Sequence, residues 1–305
     1  MAVLGTSNIT LPVNIADTMF KKAATGSAIA VLSDAQPQSF GTITKPTLTG
    51  RPRAEYVGEG ADKSHTTATF GTKTITPHKV QVTMRFNEEV QWADEDYQLG
   101  VLQTLADEGG LALARALDLG AFHGINPLTG AVIAGIVVGD RIATTTNSVE
   151  ITTATLTTPD MVMEQAAGLV IADGYRPNGI AFDPTYAWTI ATSRYADGRK
   201  KYPELGFGLD VTSFEGLRAS ASTTVSGLPE AAANTNVKAI VGDWSAFEWG
   251  VQRRVPVRLL TAGDPDGQGD LARKNQIALR LEVVYGWGVF DLDAFATVKD
   301  AVANA

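Results

Sequence analysis

Three histidines, His65, His78 and His123, and no cysteine set the first bound on the chemistry open to this 305-residue chain. None of the histidines stands in an H-x-x-x-H or H-E-x-x-H spacing, so a multi-histidine metal site would have to be gathered from scattered positions. The lack of cysteine removes disulfides, thiol nucleophiles, iron–sulfur clusters and every cysteine-based zinc site. Gly58 to Ser64 ends like a phosphate loop, but Asp62 holds the required glycine position and sets a negative charge against phosphate. A polar hairpin tip is the reading that remains. Gly206-Phe207-Gly208 and Gly286-Trp287-Gly288 each lack the third glycine of a dinucleotide fingerprint and read as turns or close backbone approaches. Asp264, Asp266 and Asp270 alternate oxygen donors around Gly269, like the first half of a calcium loop. Asn275 at the twelfth position has no bidentate carboxylate to give and the flanks read as strands, so a solvated acidic loop is the main reading and calcium the alternative. No G-x-S-x-G occurs, and Glu88-Glu89 sits beside a helix start, where acids are expected anyway. Arg194, Arg199, Lys200 and Lys201, with Tyr195 and Tyr202 interleaved, come nearest to a nucleic-acid patch. On a chain of net charge −8 they read first as a solvated loop or a subunit contact. No cofactor and no metal is expected.

The elements that must carry these residues are of mixed type. Hydrophobic residues make up 44% of the chain, enough for a real core, and only 19% are charged, which argues against disorder throughout. No apolar run approaches the roughly 20 residues of a membrane span, and Met1 to Thr10 lacks the pattern of a secretory signal. The first 42 residues read as an extended arm with a short helix at Asn14 to Ala24. Ile43 to Phe86 reads as a long β-hairpin, with Ala54 to Val57 and Lys79 to Phe86 as strand segments and Gly58 to Lys63 as the tip. It has too little apolar mass to stand alone. Asp94 to Phe122 carries the longest helical signal, stopped by Gly124. Pro159 and Pro184, each behind a capping residue, open further helices, around a buried strand at Gly179 to Phe182. Strands are predicted at Leu217 to Val225 and Val237 to Val241, and a second hairpin from Arg254 to Leu260 and Gln276 to Tyr285. The class is α+β, without regular βαβ alternation.

An arm without a core, an over-long hairpin, one spine-like helix and a late second hairpin each expose more surface than one chain can cover. In this order the sequence resembles the major capsid proteins of tailed bacteriophages that share the Hong Kong ninety-seven shell fold. The resemblance rests on Glu55-Tyr56-Val57-Gly58-Glu59-Gly60 with Phe70 beyond it, Asp107 to Gly124 followed by the Pro127 to Gly130 turn, and Gly179 to Trp188. It continues through Asp197-Gly198-Arg199, Gly216-Leu217, Val241 to Trp244 and Ala278 to Val289, closing with Asp293 to Ala296. It implies an N-terminal arm (1–42), an extended loop (43–82), a peripheral domain with the spine helix (83–125 and 249–289) and an axial domain (126–248 and 290–305). It also implies a structural subunit of an icosahedral head, assembled in the bacterial host cytoplasm into hexamers and pentamers around double-stranded DNA. Glu55, Glu59, Arg194, Arg199, Lys200, Lys201, Arg253 and Arg254 are then expected at subunit contacts. The implied partners are a portal protein, a decoration protein and packaged DNA touched weakly and without specificity. The mature-length arm points to a separate scaffolding protein or none, and no membrane is involved.

Some members of that family weld the shell with lysine–asparagine isopeptide bonds. Counted along this sequence, Lys63 matches the lysine, Asn275 the asparagine and Glu282 the catalytic glutamate, while Arg280 stands where an apolar side chain is expected. Such a weld turns over once and makes no enzyme in the ordinary sense. Two rivals stand beside this reading: an encapsulin-like cellular compartment, and a β-rich ligand-binding protein using Trp188, Trp244, Trp249 and Trp287 as stacking platforms.

Overall fold

The structure, a computed structural model, describes residues 26–50, 52–89, 95–152, 158–203, 205 and 211–301. In chain order the elements are α1 (Ala28–Leu32), β1 (Ile43–Gly50), β2 (Thr69–Asn87), α2 (Glu95–His123), β3 (Ser148–Ile151), α3 (Pro159–Ala172) and β4 (Gly179–Phe182). There follow α4 (Pro184–Ala191), β5 (Ser213–Phe214), β6 (Leu217–Ala221), β7 (Val237–Gly242), β8 (Phe247–Leu260), β9 (Gln276–Val289) and β10 (Phe295–Asp300). The α+β expectation holds. The short helix expected at Asn14 to Ala24 lies outside the described residues.

Two sheets organise the chain. The first is antiparallel in the order β1-β2-β9-β8; the second is mixed, in the order β3-β10-β7-β4-β6-β5. In β9 every second residue from Leu279 to Val289 is buried in the larger core, as the two-residue period of a strand requires. That face meets α2, whose Leu113, Leu117 and Ala121 belong to the same core. The helix comes close because it has no side chain at Gly120, where a Cβ would lie 2.9 Å from the Trp287 ring. Gly124 ends α2 with φ +70°, a left-handed conformation that favours glycine, and its N–H returns to Gly120 O at 2.9 Å. The second core gathers β4, β7 and β10 with α3 and α4, and all four residues of β4 are buried. Asp183 caps α4 by accepting from Thr185 N at 2.9 Å, directly before Pro184.

Three strand expectations are corrected. The ladder between β1 and β2 runs only from Ile43↔Ile75 to Gly50↔Thr69, and Ala54 to Val57 is not a strand. Pro52 cannot donate to a ladder and nothing apolar backs the segment, so pairing stops there. Lys79 to Phe86 is indeed extended, but its partner is β9, from Thr76↔Trp287 to Asn87↔Gln276. The strand expected over Leu217 to Val225 ends at Ala221, because Ser222 accepts from Thr224 N and starts a 3-10 turn at Thr223–Val225. The second hairpin forms as expected and is longer than expected, as β8 and β9.

Candidate functional site

Glu282 lies on the face of β9 turned away from the core, where its cross-strand neighbours are Gln81 on β2 and Val255 on β8. Lys79 sits two residues from Gln81 on the same face, a diagonal position within reach of long side chains. Its Nζ lies 3.1 Å from Glu282 Oε2, with the lysine side chain 60% exposed and the glutamate 14%. Asn275 precedes β9 in a left-handed conformation, φ 51° and ψ 48°, with its carbonyl accepting from Glu88 N at 2.9 Å. Its side chain is exposed. Seven residues of strand separate it from Glu282, about 23 Å at 3.3 Å per residue.

Lys63 is further removed. It belongs to the segment 52–68, exposed throughout, which leaves from Thr69 at the far end of β2. Thr69 is ten residues from Lys79, roughly 33 Å along a strand. A single chain therefore holds the three counted residues apart, and of the lysines named so far only Lys79 meets Glu282. Arg280 turns away from the glutamate, donating to Thr83 Oγ1 at 3.1 Å and Pro265 O at 2.8 Å.

The loop tip is tied across without a backbone ladder. Glu55 accepts from Ser64 N at 2.7 Å and Ser64 Oγ at 2.6 Å, and these bonds hold its carboxyl below the usual carboxylate range. Ala61 N closes a turn on Gly58 O at 3.1 Å, with Glu59 exposed inside it. Nothing helical follows Ser64, so the phosphate-loop string lacks the helix N-terminus that such a loop feeds. Tyr56, Phe70 and Leu48 are exposed along the same hairpin.

The basic stretch is largely spoken for within the chain. Arg194 Nη1 donates to Gly198 O at 2.9 Å, Arg199 pairs with Asp197 at 2.6 Å, and Lys201 reaches Asp160 at 2.9 Å. Arg194 and Lys200 face each other across an isolated bridge, which folds the segment into a tight turn. On β8, Arg253 stands 5.9 Å over the Phe40 ring, and Arg254 pairs with Val283 in the ladder. The acidic loop holds a guanidinium: Arg85 bonds Asp266 at 2.8 Å, Asp264 at 3.2 Å and Gly269 O at 2.7 Å. Among the described residues no cluster of three His, Asp or Glu is placed to hold a metal, and no helix is long and apolar enough to cross a membrane. Trp244, Trp249 and Trp287 are buried, so three of the four supposed stacking platforms are core; Trp188 alone is partly exposed.

Two buried polar residues did not stand out in the sequence. Asp118 in α2 is fully buried, accepting from Ala28 N at 2.8 Å, Ile29 N at 3.2 Å, Thr224 Oγ1 at 2.8 Å and Ser27 Oγ. One carboxylate thus joins the start of α1, the spine helix and the 3-10 turn at Thr223–Val225. The signal was present: Ala114, Ala121 and Phe122, at helical spacing from Asp118, are apolar. His123 is also buried, with Nε2 2.9 Å from Val225 O, and burial pushes its imidazole down to about 4 from 6.5. Between those values the unfolded chain binds the proton and the folded chain does not, so stability from this residue is complete above pH 6.5 and is lost as pH falls toward 4. Urea unfolding of the unassembled chain should lose about 3 kcal/mol over that window relative to His123→Asn; parallel pH profiles for the two proteins would contradict it.

A model described as the phage capsid family matches residues 7–300 of the chain. A relative described as a probable major capsid protein, from Mycobacterium phage D29, is 25% identical over 280 residues, 88% of this chain and 84% of the relative. Among solved structures, a chain from Mycobacterium phage Ogopogo is 55% identical with a TM-score of 0.83, the match covering 90% of this chain and 92% of that one. A chain from Gordonia phage Cozz is 33% identical with a TM-score of 0.77, covering 90% and 87%.

Proposed function

Because the chain belongs to the phage capsid family, we propose that it builds a closed icosahedral head, joining copies of itself into pentamers and hexamers around packaged double-stranded DNA. It is a structural subunit of a phage capsid, carries the Hong Kong ninety-seven fold and forms part of the virion head. The observation that supports the assembly reading is the hairpin: residues 52–68 are exposed throughout and have no core of their own. A segment so poor in internal contacts is ordered by covering a neighbouring copy, where apolar area contributes roughly 25 cal/mol/Å² only after assembly. The arm at 1–42, loop at 43–82, peripheral domain at 83–125 and 249–289 and axial domain at 126–248 and 290–305 are the proposed working parts. Glu55 and Glu59 on the loop, the turn of Arg194, Arg199, Lys200 and Lys201, and Arg253 and Arg254 on β8 are the proposed subunit contacts. A portal protein, a scaffolding protein and a decoration protein are the partners such a shell calls for, and assembly would take place in the host cytoplasm. With a net charge of −8 the chain grips phosphates weakly, which suits a container that must release its DNA. The family match gives the cellular-compartment reading no observation of its own.

The weld is part of the proposal: an isopeptide bond to Asn275 with Glu282 as the base, the lysine being Lys63 by the resemblance. Asn275 and Glu282 are too far apart in one chain to act together, so they come from different copies. Boiled, denatured particles run on a gel should show a ladder of covalent multimers, and monomer-sized bands alone would end the weld. The chain has no cysteine, so such a ladder contains no disulfides between its copies.

A further inference from the structure

We infer that Lys45 and Lys73 form a paired latch that sets the direction in which the hairpin leaves the subunit, and so the place on a neighbouring copy that its loop can cover; this rests on the shell reading. β2 is one continuous strand that changes partner: it pairs with β1 from Thr69 to Ile75, and with β9 from Thr76 onward. The β1–β2 part is therefore a two-stranded ribbon standing out from the rest of the sheet, and such a ribbon is marginal alone. Its root is anchored on both strands. The β2–β9 ladder holds one side; on the other, just before β1 begins, Gln36 N donates to Trp249 O at 2.8 Å and Gly41 N to Gln252 Oε1 at 3.1 Å. Gly288 of β9 lets the ribbon settle there, since a Cβ would stand 3.0 Å from Ile75 Cγ1 and 3.7 Å from Lys73 Cε. That close approach gives the second glycine of Gly286-Trp287-Gly288 its role.

Lys45 and Lys73 are the next pair outward on the face of Ile43 and Ile75, directly opposite each other in the ladder. Like charges so placed repel. Each is matched by a carboxylate from a different part of the subunit body: Lys45 Nζ lies 2.6 Å from Glu248 Oε2 at the start of β8, and Lys73 Nζ lies 2.7 Å from Asp140 Oδ1 in the 3-10 turn Val138–Asp140. Lys73 Nζ also donates to Gly139 O at 3.0 Å. Of the described ribbon residues only Ile75 is buried, so apolar packing contributes little and the two ion pairs decide how the ribbon lies. Their effects are linked. If one carboxylate is lost, its lysine stands uncompensated opposite the other, and the ladder loosens together with the docking. From Ile75 to Thr69 is about 20 Å of strand, so a rotation of about 10° at the root moves that end by about 3 Å. Packed surfaces forfeit much of their attraction over a gap of about 1 Å. A latched hairpin therefore meets its neighbour at one angle and a loosened one at several.

The test is hydrogen exchange on the unassembled full chain, read by mass spectrometry with β9 as the internal reference. Glu248→Gln should speed exchange across residues 43–50 and 69–75 roughly five- to tenfold and leave β9 unchanged. Adding Lys45→Met removes the unbalanced charge and should return the ribbon to within about twofold of the unsubstituted rate. Asp140→Asn, with and without Lys73→Met, should repeat the pattern from the other side, so that one pair decides if the other does not fold. Unchanged exchange in the carboxylate variants, or double variants that exchange as fast as the single ones, would overturn the latch. Under the electron microscope the carboxylate variants should then give particles of mixed diameter and the double variants uniform ones. Uniform particles from a chain whose ribbon is loosened would overturn the part the latch plays in the shell. Absence of particles from the unsubstituted chain would overturn the shell reading instead, while the exchange result would still decide whether the latch exists.

Discussion

Replacing Asp118 by alanine is expected to destabilise the chain by roughly 3–5 kcal/mol, since several buried donors lose one acceptor at once and each costs about 1–3 kcal/mol when left unpaired. The donors are Ser27 Oγ, the N–H groups of Ala28 and Ile29, and Thr224 Oγ1. Ile29 and Leu32, buried in the larger core, would lose the bonds that seat their helix. Asp118→Asn keeps one acceptor oxygen but turns an amide toward donors, so it should fall between the two. Chemical denaturation reads the loss, and hydrogen exchange should show it first at residues 28–33. A cost below 1 kcal/mol for the alanine variant would mean that the carboxylate is not the anchor.

The second large effect is on assembly and leaves the fold almost untouched. Replacing residues 52–68 by a short glycine-rich turn removes side chains that are all exposed, so little burial is lost. Shortening the loop recovers about 1 kcal/mol of closure entropy. The unassembled chain should melt at the same temperature or slightly higher, yet form no shells, because the area this loop covers on a neighbour is gone. Shells in normal yield from the shortened chain would refute the role given to the hairpin. A chain that no longer folds would show that the loop supports its own subunit.

Local signals in the sequence located the elements well. α2 is helical from Glu95, the first residue described there, and ends one residue beyond the pattern read from Asp94 to Phe122, because the end of a long helix with a glycine beyond it is set by neighbours in sequence. Pro159 and Pro184 open α3 and α4 for the same reason. Pairing was less legible. The alternation in Lys79 to Phe86 shows a strand but not its partner, and β9 lies about two hundred residues away. The same distance hid the contact of Lys79 with Glu282: residue types matched Lys63, Asn275 and Glu282, but only register shows which lysine the glutamate meets. Asp118 could have been found, since it interrupts an apolar helical face; its partners from residues 27–29 and 224 could not.

The most direct test of the shell reading is electron microscopy of the full chain, purified and concentrated, alone and together with the scaffolding protein of its phage. Closed particles of uniform diameter, with the chain arranged in fives and sixes, are the predicted result. A monomer that stays dispersed at high concentration under both conditions would contradict the account.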